Sequence, residues 1–391
     1  MNGRFIPRAI FYDSADLLRR IQAPIDVPQE YAAVRLFLLS YVHSQDTYNT
    51  YRREIERYCQ WVWFVNKTLL SEVIRHDLQG YIRFFQDPPS NWVSTKHVAR
   101  YVESLDGLAP NPLWRPFVIT VGKKRMVSSA GMKSMLACLS TFYNFLLHEQ
   151  VVNQNPVQML RQKNQLIQTV SSSRVKRRLT NKQWSYVISV AQKKAIANPL
   201  YERTLYLLTL FYLLGLRISE VSESKEGAKA MNLFFQDQQG RWWFEAHGKG
   251  NKVRQVAVPD AMLEGLKRYR QSLGLGFFPV ANDLSPLVPK LKGQGGLSAR
   301  QIRALISESF SDAVMVILHE GFSDESEGLK QATVHWLRHT SISEDVLTRP
   351  NEHVRDDVGH ENIATTSLYM DVHDEERHRS AKDKPLKRER C

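Results

Sequence analysis

The sequence predicts a mainly α-helical protein with a small β-sheet, divided into two domains. Apolar residues recur at spacings of three and four along several stretches, which is the helical period. Residues 241–258 instead alternate around a Gly-Lys-Gly-Asn turn, which predicts a β-hairpin. A polar, basic stretch over residues 161–178 separates two parts of the 391-residue chain, and each part has the length of a domain.

The first part is expected to be an N-terminal arm, residues 1–30, followed by an all-helical domain, residues 31–160. The helical period predicts helices over residues 31–65, 77–86, 91–105 and 128–149. Proline and glycine predict a loop over residues 107–116.

The second part, residues 179–372, is expected to combine helices with the hairpin. Thr180 and Gln183 have the spacing of a capping box, at the start of a helix that ends near residue 196. Gly215 should end the apolar helix that follows. We expect helices over 201–214, 261–273 and 298–319, an acidic loop over 321–328, and a charged tail over 373–391.

The amino-acid composition limits the classes of binding partner and the cellular compartment that we expect. A formal net charge of +13 and a pI of about 9.6 favour a polyanionic partner such as DNA or RNA. The three cysteines are far apart and form neither a zinc spacing nor a disulfide framework, which fits a reducing cytoplasm. The start lacks the apolar core of a secretory signal, and the longest apolar run, residues 205–216, is too short to span a membrane. We expect no membrane partner.

Residues 334–372 contain the groups with the clearest chemistry. His335 and Arg338 are three apart, so they share one face of a helix. Gly359 breaks the chain directly before His360, and Tyr369 follows on a short helical run. An arginine fork binds a phosphate, a histidine moves a proton near neutral pH, and a tyrosine surrounded by cations can act as a nucleophile. The simplest chemistry that uses all of them is attack of a tyrosine on a phosphodiester.

These motifs resemble the C-terminal signature of the tyrosine recombinases, the phage integrase family. The matching pattern is His-x-Leu-Arg-His-Thr from His335, then Gly-His at 359–360, then Thr-x-x-Tyr ending at Tyr369. Leu-Leu-Gly-Leu-Arg-Ile-Ser-Glu at 213–220 is similar to the family's first-arginine motif, and His-Gly-Lys-Gly-Asn-Lys at 247–252 is similar to its lysine hairpin. The resemblance implies a helical core-binding domain at 31–160, a basic linker at 161–178 and a mixed α+β catalytic domain at 179–372.

The resemblance also implies a role for each motif residue. Tyr369 would attack the scissile phosphate and form a 3′-phosphotyrosyl bond, while Arg217 and Arg338 would clamp the non-bridging oxygens. His335 would assist proton transfer and His360 would hydrogen-bond the phosphate. Lys249 would protonate the leaving 5′-oxygen, with Lys252 as the alternative, and Glu220 would orient the arginine site. Neither a metal nor another cofactor is implied.

The implied partners are double-stranded DNA with an inverted-repeat core site and further copies of the same chain. The family acts as a tetramer on two DNA sites through a Holliday junction, and the tail, 373–391, would dock on a neighbouring protomer. Accessory DNA-bending proteins or a partner recombinase are possible partners, and a nucleoid-associated role in moving a mobile element is expected. The candidate DNA contacts are Arg52, Arg53, Lys123, Lys124, Arg125, Arg174, Lys176, Arg177 and Arg178.

Two other classes of function remain open from the residues alone. A histidine-based metal hydrolase could use His335, His339 and His360, although Trp336 stands where the zinc-protease pattern requires a glutamate, and Arg338 would repel a metal. A non-catalytic DNA-binding architectural protein would need the basic charge but not the motif set. A type IB topoisomerase shares the chemistry, and the helical domain before the catalytic one favours recombination.

Overall fold

The computed structural model describes residues 5–20, 27–105, 107–119, 127–161, 177–248 and 252–359. The chain forms two compact units, Met1–Ser173 and Arg174–Cys391. The predicted fold class, mainly helical with small β-sheets, is confirmed. No helix within the described ranges is long and apolar enough to cross a lipid bilayer.

The first unit consists of helices around an aromatic core. Its helices are α1 (Ala15–Arg20), α2 (Tyr31–Leu39), α3 (Gln45–Gln60) continued by a π-helical turn (Trp61–Asn66), α4 (Arg75–Gln86), α5 (Ser129–His148) and α6 (Pro156–Arg161). At the centre of the core, the hydroxyls of Tyr58 and Tyr143 are 2.7 Å apart, so these two fully buried phenols satisfy each other. Helix α3 begins directly after Ser44.

The prediction of a helix over 91–105, and with it an all-helical domain, is wrong. A 3₁₀ turn (Ser90–Trp92) leads into β1 (Val93–Ser94), which pairs with β4 (Phe117–Val118), and β2 (Tyr101–Ser104) forms a hairpin with β3 (Gly107–Pro110). The reason is tertiary. The guanidinium of Arg100 reaches the buried carboxylate of Glu56 at 2.7 Å, and this ion pair holds the segment in an extended path.

Part of the predicted N-terminal arm is built into the first unit. Ile10 and Phe11 are fully buried in its core. Their backbone N–H groups donate to Glu56 Oε1 at 2.7 and 3.2 Å. One buried carboxylate thus anchors both the start of the chain and the β2 segment through Arg100.

The second unit combines a three-stranded antiparallel sheet with a helical layer. Its helices are α7 (Asn181–Ala197), α8 (Glu202–Leu214), α9 (Ile218–Val221), α10 (Asp260–Ser272), α11 (Ala299–His319), α12 (Ser323–Lys330), α13 (Val334–Thr348) and α14 (Asn351–Val358). Its strands are β5 (Phe234–Gln236), β6 (Trp242–His247) and β7 (Val253–Ala257), in the order β5-β6-β7. The β6-β7 pair is the predicted hairpin, with Phe244 opposite Val256.

Local sequence signals explain where several of these elements start. Thr180 and Gln183 form the predicted capping box, and Ser298 with Gln301 forms a second one at the start of α11. The expected acidic loop over 321–328 is wrong, because most of it belongs to α12. Acidic residues in the first turn suit the positive end of a helix, and Leu329 is buried against the core.

Helix α8 is buried on nearly all sides and ends at Gly215, which has a left-handed backbone with φ of 56°. An added Cβ at Gly215 would lie 3.2 Å from Ser341 Oγ and 3.8 Å from Val358. The turn is therefore both left-handed and crowded. It directs the chain from the core into the segment that carries Arg217.

Gly215→Ala should lower the free energy of unfolding by about 2 kcal/mol, since a left-handed alanine costs ~1–2 kcal/mol before any crowding. Gly274→Ala is the matched control: Gly274 also has positive φ, 71°, but nothing lies within 4 Å of its Cβ position. We expect this control to lose about 1 kcal/mol. Chemical denaturation measures both values, and equal losses would show that the contact with Ser341 is unimportant.

Candidate active site

Arg217 occupies the turn between α8 and α9. Its backbone N–H donates to Glu220 Oε2 at 2.8 Å, and its guanidinium Nη1 donates to Glu220 Oε1 at 3.1 Å. The side chain remains about 35% exposed. Arg217 is thus held on one side by a carboxylate and open to solvent on the other.

Glu220 is a fully buried carboxylate shared by two arginines. Besides Arg217, it accepts hydrogen bonds from Arg254 Nη1 at 2.6 Å and Nη2 at 2.9 Å. Burial raises the pKa of Glu220, but the hydrogen bonds and charges of Arg254 and Arg217 outweigh it and hold the pKa below the usual value. Glu220 is therefore ionised at neutral pH and fixes both guanidinium groups.

Arg338 lies on α13 and is almost fully buried. Its Nη1 donates to the carbonyl of Gly215, and its Nη2 donates to the carbonyl of Val358 at 2.8 Å. These carbonyls belong to the ends of α8 and α14, where helices carry partial negative charge. Arg338 therefore links the ends of α8 and α14. One of its two acceptors, Gly215, lies two residues before Arg217 in the sequence.

His335 lies one turn before Arg338 on α13 and, unlike Arg338, is exposed. The surrounding protein lowers its pKa, and the positive charges of Arg338, Arg217 and Arg177 lower it further. The ring is mainly neutral at pH 7, so it can accept a proton. Its neighbour His339 contacts it edge to face, with ring centres 4.4 Å apart.

The structure brings together Arg217, His335 and Arg338 of the predicted catalytic set. Lys249, His360 and Tyr369 lie outside the described residues. The alternative acid, Lys252, is exposed, and its backbone carbonyl accepts a 2.8 Å hydrogen bond from the N–H of Gly248.

Two glycines that adjoin the remaining motif residues contact the Glu220–Arg254 pair. A Cβ added at Gly248 would lie 3.7 Å from Glu220 Oε1 and 3.8 Å from Arg254 Nη1. A Cβ added at Gly359 would lie 2.9 Å from Arg254 Cδ, and Gly359 has positive φ, 65°. The hairpin end and the end of α14 therefore both pack against the same ion pair.

Among the candidate DNA contacts, Arg52 is mostly buried in the first unit, where its side chain lies against Asp13 and Tyr48. Arg53 is exposed and paired with Glu54 at 2.8 Å, and Arg177 is also exposed. Arg178 is half-buried. The other candidates, Lys123, Lys124, Arg125, Arg174 and Lys176, lie outside the described residues.

Sequence reasoning missed Arg254 as a member of the site. The available signal was strand alternation, because Arg254 shares a face of β7 with the buried Val256. A cation placed on the inner face of a strand requires a partner, and Glu220 is that partner.

Glu220→Gln should lower the stability at pH 7 by about 3 kcal/mol, because it leaves two arginines without their shared countercharge. The folded pKa of Glu220 is lower than the unfolded value, so its contribution is complete above the unfolded pKa and is lost as the pH falls through the folded pKa. The difference between wild type and variant should therefore shrink below about pH 4. Unfolding free energies measured from pH 7 to pH 2.5 check this, and a constant difference would contradict it.

Comparison with known proteins identifies the family of the chain. The profile of the phage integrase family matches residues 177–376, more than half of the chain. Tyrosine recombinase XerC of Bacillus licheniformis is 24% identical over 258 residues, which cover 65% of this chain and 74% of that protein. A tyrosine recombinase of Pseudothermotoga lettingae is 25% identical over 286 residues, which cover 73% of this chain and 80% of that protein.

Two solved structures share the fold. The XerH site-specific recombinase bound to palindromic difH substrate superposes with a TM-score of 0.57 at 14% identity, covering 97% of this chain and 99% of that one. The Tn1549 transposon integrase in complex with circular intermediate DNA has a TM-score of 0.54 at 14% identity, covering 90% and 99%. The match to the family profile over more than half of the chain shows that the chain belongs to the phage integrase family of tyrosine recombinases and is a site-specific DNA recombinase.

Proposed function

We propose that this recombinase cuts and rejoins DNA through a 3′-phosphotyrosyl intermediate on Tyr369. The observation that carries the proposal is the proximity of three motif residues. His335 lies within reach of the charges of Arg338 and Arg217, Arg217 is held by the buried Glu220, and Arg338 donates to the carbonyl of Gly215, two residues before Arg217. The two arginines provide positive charge next to a histidine that is neutral at pH 7. A phosphodiester undergoing substitution develops negative charge that such a site would stabilise.

Arg217 and Arg338 act on the two non-bridging oxygens of the scissile phosphate. Their guanidinium groups are held before any substrate arrives, Arg217 by Glu220 and Arg338 by the carbonyls of Gly215 and Val358. Cations that need not move during the reaction stabilise a transition state at little cost in reorganisation. This arrangement supplies the electrostatic part of the catalysis.

The remaining groups handle the phosphate and the protons. The Tyr369 oxygen forms a bond to phosphorus while the bond to the 5′-oxygen breaks. His335 assists removal of the phenolic proton, Lys249 protonates the leaving 5′-oxygen, and His360 hydrogen-bonds the phosphate. Because the new phosphotyrosine ester replaces the broken phosphodiester, rejoining needs no external energy source, and the arginines supply the charge that a metal provides in other enzymes.

The substrate is double-stranded DNA with an inverted-repeat core site, bound by a tetramer that passes through a Holliday junction. The net charge of +13 and the exposed Arg177 close to His335 support contact with a polyanion. The recombinases of similar fold named above were solved with DNA, one of them a transposon integrase, which supports a role in integrating or excising a mobile element. Accessory DNA-bending proteins or a partner recombinase would complete the assembly, with the tail, 373–391, docking between protomers.

Tyr369→Phe should abolish the covalent protein–DNA adduct while leaving folding and DNA binding nearly unchanged, because it removes one oxygen and keeps the ring. The substrate is a labelled, nicked duplex that carries the binding site selected from DNA flanking the gene. The nick lets the cleaved fragment leave and traps the adduct, which a denaturing gel displays. Excess EDTA is present throughout, and we expect the wild-type adduct to form in it.

Tyr212→Phe is the matched control. The Tyr212 hydroxyl donates to Glu344 at 2.5 Å, so its loss should cost about 1 kcal/mol of stability and leave the adduct intact. An adduct that persists in Tyr369→Phe would place the nucleophile elsewhere. Cleavage that stops with EDTA and returns with Mg²⁺ would refute the metal-free chemistry.

A further inference from the structure

We propose that Arg254 is a positioning residue for the recombination reaction, which keeps the net charge beside Glu220 positive, orients Arg217 and fixes the end of α14, directly before His360 in the sequence. The inference rests on the roles proposed above for Arg217 and His360. Arg254 lies outside the motif set, on strand β7 of the hairpin.

All three guanidinium nitrogens of Arg254 have partners. Nη1 and Nη2 donate to the two oxygens of Glu220 at 2.6 and 2.9 Å. Nε donates to the backbone carbonyl of Asp357 at 2.7 Å. The side chain is only 12% exposed. Arg254 therefore joins the Arg217 turn to the last turn of α14, two segments that are far apart in the sequence.

Arg254 determines the net charge around Glu220. Glu220 carries one negative charge, and Arg217 and Arg254 each carry one positive charge, so the triad has a net positive charge. If Glu220 faced Arg217 alone, the carboxylate would neutralise the cation that is meant for the phosphate. Because Arg254 takes both carboxylate oxygens in a bidentate contact, Arg217 keeps a single side-chain hydrogen bond to Glu220 and an outward positive field.

Arg254 also determines the geometry at the end of α14. The Cδ of Arg254 would lie 2.9 Å from a Cβ at Gly359, so only glycine fits there without displacing the arginine. Nearby, the backbone N–H of Ala257 donates to the Asp357 carboxylate at 3.3 Å, a second link between β7 and α14. Strand β7 therefore fixes the point at which the chain leaves α14 toward His360.

Arg270 has the same kind of contacts in the same unit and provides a matched control. Its Nε donates to the carbonyl of Gly276 at 2.7 Å, its Nη1 donates to Asp283 at 2.7 Å, and it is 4% exposed. None of these partners belongs to the catalytic set. A purely structural role for Arg254 predicts that Arg254→Gln and Arg270→Gln behave alike.

The test compares these variants on the nicked substrate described above, measuring DNA affinity separately from the single-turnover rate of adduct formation. Arg254→Gln should slow adduct formation about 100-fold with an affinity within about threefold of wild type. Arg270→Gln should lower the melting temperature while its rate stays within about threefold. Arg254→Lys keeps the charge but not the fork, so it should recover the rate only in part. If Arg254→Gln does not fold, Arg254→Lys decides the question.

A double-mutant cycle then shows whether Arg254 acts through Glu220. Arg254→Gln combined with Glu220→Gln should be about as slow as the slower single variant, whereas the combination with Arg270→Gln should show the product of the separate effects. Tyr369→Phe is assayed in parallel. If Tyr369→Phe lacks the adduct but Arg254→Gln reacts as fast as Arg270→Gln, the positioning role is wrong and the proposed chemistry stands. If Tyr369→Phe still forms the adduct, the proposed chemistry itself fails.

Discussion

The site depends on one buried carboxylate. Glu220 is inaccessible to solvent and would be strongly destabilising there without compensation, because an isolated buried charge loses its hydration. Arg217 and Arg254 compensate it and in turn become fixed by it. A buried ion pair contributes little net stability but strongly penalises rearrangement. The ion pairs of Glu220 therefore add little net stability, and their main effect is to fix the positions of the two arginines.

Arg338 fixes parts of the backbone in a similar way. It stabilises the carbonyls at the ends of α8 and α14, and these helix ends adjoin Arg217 and His360 in the sequence. The hydrophobic core around α8 provides the rigid base, and the left-handed turn at Gly215 delivers the chain to the surface. The hydrophobic core, the two helix ends and the charged site are therefore physically connected. A change at the Gly215 turn should alter the geometry of the site.

Local signals in the sequence were sufficient to predict much of the fold and part of the site. The capping box at Thr180 and the hairpin depend on neighbouring residues, and the spacing of His335 and Arg338 on one helix face is likewise local. The pairing of Glu220 with Arg254 could not be predicted, because the two residues are 34 positions apart and no local pattern encodes a tertiary ion pair. The segment 91–105 was mispredicted for the same reason, since its extended path depends on a distant carboxylate.

The most direct test of the central claim is to identify the residue that carries the DNA. Trypsin cleavage after Arg355 and Arg377 releases residues 356–377, in which Tyr369 is the only tyrosine. The trapped adduct would be digested with nuclease and trypsin and analysed by mass spectrometry. We expect a residual nucleotide on this peptide, attached to Tyr369. A nucleotide on any other peptide would contradict it.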